Sequence, residues 1–162
     1  MEKNDKEAAT NNETRKHIAN VGKFINIIIK HLLKRSVEHD ASKLESPELE
    51  LFTEWTPKLA GCTYGSEEYK KFLEELKPAL KHHYDNNRHH PEHNPNGLHA
   101  MTLVDLIELF CDWKAATLST KDGNMSKSID INVKRFNIDP QLESIFRMTD
   151  LLFESEFEHD KP

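Results

Sequence analysis

Residues 102–119 read Thr102-Leu103-Val104-Asp105-Leu106-Ile107-Glu108-Leu109-Phe110-Cys111-Asp112-Trp113-Lys114-Ala115-Ala116-Thr117-Leu118-Ser119. The stretch contains neither proline nor glycine, and it opens on a hydroxyl residue with Asp105 three places on, the pattern of a helix start that caps itself. At 100° per residue Asp105, Glu108 and Asp112 fall within about 60° of one another, and apolar side chains take up most of the remaining circumference. A helix this apolar is expected to be largely buried. Buried carboxylates are costly unless they are paired or coordinate an ion, so the acidic stripe points to a site. Periodicity alone leaves an ordinary solvated face open as the alternative.

Working outward, the chain on either side repeats the helical period. From Glu13 to Arg35, Val21, Phe24, Ile25, Ile28, Ile29 and Leu32 recur every three or four residues, and His17 and His31 share that stripe and are expected to look inward. Ser46-Pro47-Glu48 starts a second helix running to about Trp55, followed by a loop at Pro57 and residues 61–65. Ser66 caps a third, which reaches Pro78, kinks and continues to Tyr84. Residues 85–98 read as a loop, and a turn at 121–124 precedes two shorter helices at about Ser126–Phe136 and Pro140–Phe153. No strand alternation occurs. The expected fold is an all-α, single-domain bundle of about six or seven helices over 15–155, between a flexible polar tail at 1–14 and another at 156–162.

With 28 acidic against 22 basic side chains, the formal charge of −6 excludes a simple polyanion binder and argues against a long nucleic-acid footprint, which needs many Lys and Arg contacts. No apolar run approaches the roughly 20 residues that span a bilayer, and the amino terminus lacks a secretory signal, so a cytoplasmic location is expected. Cys62 and Cys111 have no Cys-x-x-Cys spacing; both are expected to be buried thiols.

Histidine is the unusual residue. Of ten in the chain, His82, His83, His89, His90, His93 and His99 crowd into residues 82–99. Neutral imidazole binds metal ions at neutral pH, so paired histidines in His82-His83-Tyr84-Asp85-Asn86-Asn87-Arg88-His89-His90-Pro91-Glu92-His93 point to a metal site. A pH-sensitive surface loop or a non-catalytic metal tract would use the same residues. His39-Asp40 offers an adjacent nitrogen and oxygen donor, suited to a divalent ion if other helices add a His and an Asp. Helix caps and surface pairs also contain that dipeptide, and an inward His17 fits a core histidine as well as a ligand.

In order, His17, His39-Asp40 and Asp112 resemble the H…HD…D signature of the HD-domain superfamily of metal-dependent phosphohydrolases. His39-Asp40-Ala41-Ser42-Lys43 is similar to its HD-x-x-K form, and the two histidine pairs occupy the interval where two-metal branches insert further ligands. Residues from about His17 to Phe136 also resemble an uncharacterised family of bacteria and their phages, through the His82–His93 motif, Asp105-Leu106-x-Glu108 and Cys111-Asp112-Trp113-Lys114-Ala115-Ala116. The resemblance implies an HD-like bundle with one or two divalent ions of Mn, Fe, Co, Ni or Zn. His17, His39, Asp40 and Asp112 would hold one ion; His83 and His90 would hold a second with Asp40 bridging, His82 and His89 being alternates. Lys43 and Arg88 would hold phosphate oxygens, while Asp105 and Glu108 orient histidines or accept a proton. The implied reaction is hydrolysis of a nucleotide or other small phosphoester by a metal-bound hydroxide, the ions offsetting the acidic charge of the chain. Pro91-Glu92-His93 replaces the GYP-type segment of the cyclic-dinucleotide branch, so that substrate is not implied. A di-iron oxygenase of HD fold and a non-catalytic metal-binding accessory protein are the alternatives.

Overall fold

The structure is a computed structural model that describes residues 3–60, 67–118 and 123–159. Among these, six helices and no strand are present: α1 (Lys3–Glu38), α2 (Glu48–Ala60), α3 (Glu67–Asn86), α4 (Leu103–Leu118), α5 (Met125–Phe136) and α6 (Pro140–His159). Short 3-10 turns occupy Ala41–Leu44, Pro91–His93 and Gly97–Ala100. The all-α expectation holds. The chain divides into two compact units, residues 1–38 and 39–162. None of these helices is long and apolar enough to cross a membrane.

The first unit is α1. Residues 3–14, expected as a loose tail, form its opening turns, with Thr14 Oγ1 donating to the Thr10 carbonyl at 3.0 Å and Lys16 paired with Glu13 at 2.7 Å. Their polarity forbids burial but not helix: Ala, Lys and Glu are strong helix formers. His17 and His31 are exposed, as are Phe24, Ile25 and Ile28, so the inward stripe is not seen in this unit.

The second unit is organised around α4. Leu109, Phe110 and Trp113 pack with Met125 and Ile129 of α5, with Ile138 between α5 and α6, and with Phe146 of α6. Phe110 stacks on Phe146 at 5.2 Å and on Phe153 at 5.8 Å, and Trp113 meets Phe146 edge-on at 5.5 Å. The core takes only part of the circumference of α4. Leu103, Ile107 and Leu118 are exposed, and so is Cys111, which corrects the expectation of a buried thiol there. Cys62 and the expected cap at Ser66 lie outside the described residues, as does the first half of the expected turn at 121–124.

The helix continues past Pro78 as expected, whereas the loop expected at Pro57 is not seen. Pro57 lies inside α2 and Pro78 inside α3, each helix continuing despite the missing N–H. At Pro78 the following turn buries Ala79 and His83, which offsets the local cost. Beyond α3 the chain is pinned from both sides: His93 Nδ1 donates to the Tyr84 carbonyl at 2.8 Å, and Glu92 pairs with Arg135 of α5 at 2.6 Å.

Candidate metal centre

Asp40 stands at the centre of the site. Its backbone is left-handed, φ 54° and ψ 15°, a conformation Asp tolerates better than most side chains. The 3-10 turn it opens returns Lys43, whose Nζ lies 2.6 Å from Asp40 Oδ2. Asp40 Oδ1 is buried and has no hydrogen-bond partner.

Around that oxygen converge three imidazoles from the end of α3 and the segment after it. His83 Nε2 is 3.3 Å and His89 Nε2 3.5 Å from Asp40 Oδ1, while His83 Nε2 and His90 Nε2 are 2.8 Å apart. His89 Nε2 is likewise buried without a partner. With metal–nitrogen bonds near 2.0–2.1 Å, tetrahedral ligand atoms lie roughly 3.4 Å apart, so these separations suit one shared cation. An orphaned carboxylate oxygen facing an orphaned imidazole nitrogen is costly without one. Asp40, His83, His89 and His90 thus form one group able to hold an ion.

A second group shares Asp40. His39 Nε2 lies 3.7 Å from Asp40 Oδ2 and 3.7 Å from Asp112 Oδ1. Behind it, Glu108 Oε1 is 3.1 Å from His39 Nδ1 and 3.2 Å from His89 Nδ1, and these three residues make a third possible group.

Thus His39, Asp40, His83, His90 and Asp112 come together as expected, and of the two alternates His89 joins them. His82 turns instead to Glu48, with its Nδ1 2.7 Å from Oε1. His17 belongs to the first unit, whereas all three groups are drawn from residues 39–162. Asp105 accepts from Thr102 N at 2.9 Å and Thr102 Oγ1 at 2.8 Å, and pairs with Arg88 at 3.4 Å. Asp105 and Arg88 therefore engage each other and the start of α4 rather than entering a ligand group.

Glu48 is the residue that sequence reading missed. It is wholly buried in the first turn of α2, with Oε2 2.8 Å from His83 Nδ1, and it also bonds Ser42. An acid after Ser-Pro reads as a favourable helix-start residue facing solvent, and nothing local marks a partner in α3. Ser42 Oγ in turn accepts from Asn87 Nδ2 at 2.7 Å, tying the Asp40 turn to the end of α3.

The charges sort themselves accordingly. The Asp112 carboxylate nearby and then the hydrogen-bonded Glu108 raise the His39 pKa to about 10. Burial, reinforced by the neighbouring charges of His89 and His83, lowers His90 to about 3. Burial and the Lys43 charge lower His83 as well. Burial alone would raise Asp40 and Asp112, but Lys43 beside the first and His39 beside the second bring both below the usual carboxylate range. Neutral His83 and His90 next to ionised Asp40 are the protonation states a cation requires.

Residues 6–153 match the profile of a family of unknown function, DUF5662, and the chain belongs to that family. No curated protein and no solved structure matches it.

Proposed function

We propose, for a chain whose family carries no assigned activity, that it is an HD-type metal-dependent phosphohydrolase acting on a nucleotide or another small phosphoester. The observation behind this reading is the Asp40 carboxylate, whose Oδ1 faces the His83 and His89 nitrogens while Oδ2 faces His39. Asp40, His83, His89 and His90 would hold one divalent ion, and His39, Asp40 and Asp112 a second. The mixed nitrogen and oxygen donors suit Zn, Mn, Fe, Co or Ni. Bound there, such an ion would supply Lewis acidity, lowering the pKa of water towards about 7 and offsetting charge on a phosphoryl group.

The protein's own groups fit an anionic substrate. Lys43 is partly exposed beside Asp40 and can offer a point charge to phosphate oxygens. Arg88 has its side chain about half exposed, but its Nε and Nη2 both face Asp105 at 3.4 Å, so it is the Nη1 edge that would meet a second phosphate oxygen. Asp112 and Glu108 keep His39 in place.

The test is elemental analysis of purified protein, then turnover of p-nitrophenyl phosphate, its diester and nucleotides with each of the five metals. Asp40→Asn should lose bound metal and all turnover. Retention of full metal content by Asp40→Asn would remove the ligand assignment. Metal binding without turnover would favour a non-catalytic accessory protein, and an optical change on exposing iron-loaded protein to oxygen would favour the oxygenase.

A further inference from the structure

Two buried glutamates outside the two ion sets each face a pair of imidazole Nδ1 atoms. Glu48, fully buried on α2, faces His82 at 2.7 Å and His83 at 2.8 Å. Glu108, 8 % exposed on α4, faces His39 at 3.1 Å and His89 at 3.2 Å. We propose that both are positioning residues with divided duties: Glu48 serves only the Asp40–His83–His89–His90 set, whereas Glu108 holds one histidine of each set and couples the two. This rests on reading the two sets as ion sites.

The argument begins with the ring. A neutral imidazole carries one N–H, and an ionised carboxylate can only accept, so a glutamate at Nδ1 fixes the proton there and leaves the Nε2 lone pair for an ion. In His83 and His89 that Nε2 faces Asp40 Oδ1, at 3.3 and 3.5 Å. In His39 it faces Asp40 Oδ2 and Asp112 Oδ1, both at 3.7 Å. Three rings from three segments present the same nitrogen, and the same two carboxylates stand behind them. Burial adds weight, because a desolvated carboxylate is tolerated only with such donors. Glu48 also bonds Ser42, but its imidazole partners, His82 and His83, include no member of the His39–Asp40–Asp112 set.

The experiment is calorimetric titration of the metal-free full chain with zinc. Wild type should take up two ions. Glu48→Gln, which keeps shape but loses charge, should weaken one event by about 10–100-fold and leave the other unchanged, whereas Glu108→Gln should weaken both by a similar factor. Glu48→Asp, retaining a carboxylate, should recover part of the loss. Nitrogen NMR of the zinc-loaded wild type gives an independent readout that does not depend on how the variants fold, with Nδ1–H expected at His39, His83 and His89. Nε2–H at these rings, wild-type titrations in both Gln variants, equal effects of the two on both events, or a single zinc in wild type would each overturn the division of duties while leaving a metal site standing. A wild type that binds no zinc overturns the site reading and this inference together.

Discussion

At His39 the carboxylates of Asp112 and Glu108 keep a proton on the ring up to about pH 10. The ordinary value is 6.5, so folding gains from this group fully below pH 6.5, and that gain disappears as pH rises towards 10. The metal-free protein should therefore lose thermal stability between pH 7 and 10, and His39→Gln should flatten that slope in circular-dichroism melts. Ion binding must expel the same proton, so zinc titrated at pH 8 in buffers of different ionisation heat should report its release, and His39→Gln should release less. His39, Asp40, His83, His90 and Asp112 were legible because their chemical types recur in a motif. Glu48 was not, since its partners lie 34 and 35 positions away, across two helices. Nor can sequence choose between His82 and His89, because only the packing of α2 against α3 sends His82 to Glu48.

Among the elements, α4 was the most readable. Its cap formed as expected: the Asp105 carboxylate accepts from Thr102 N and Oγ1, and Thr102 Oγ1 accepts from Asp105 N at 3.2 Å. Thr102→Ala should cost about 1 kcal/mol in urea unfolding. Burial pushes the Asp105 carboxyl up, but Thr102 and Arg88 bring it below its ordinary value, so its contribution is present above about pH 4 and fades in acid. The cost of Asp105→Asn should accordingly shrink as pH falls below 4. Elsewhere local signals misled for two reasons. Proline at 57 predicts a loop where α2 in fact continues, and a polar amino terminus predicts disorder although its residues favour helix. Periodicity also overstated how much of α4 is covered, because a stripe of Leu and Ile shows what can be buried and not whether a neighbour is there.

For the molecule, the residue 39–162 unit joins core and site through one helix, since α4 gives Leu109, Phe110 and Trp113 to the core and Glu108 and Asp112 to the ligand groups. Phe146→Ala, which removes the ring stacked on Phe110, should cost roughly 3–5 kcal/mol and be seen as a large drop in melting temperature. Ions that bind only the folded chain add stability by mass action, about 2.7 kcal/mol at a hundred times the dissociation constant. A chelator should therefore lower the melting temperature of wild type and leave that of Asp40→Asn unmoved. How the chain treats replacements at position 40 follows from its left-handed backbone. Alanine there would add a steric penalty of roughly 1–2 kcal/mol to the missing carboxylate, whereas glycine deletes the side chain without that penalty. A Gly–Ala pair at this one position thus separates what the carboxylate contributes from what the main chain demands.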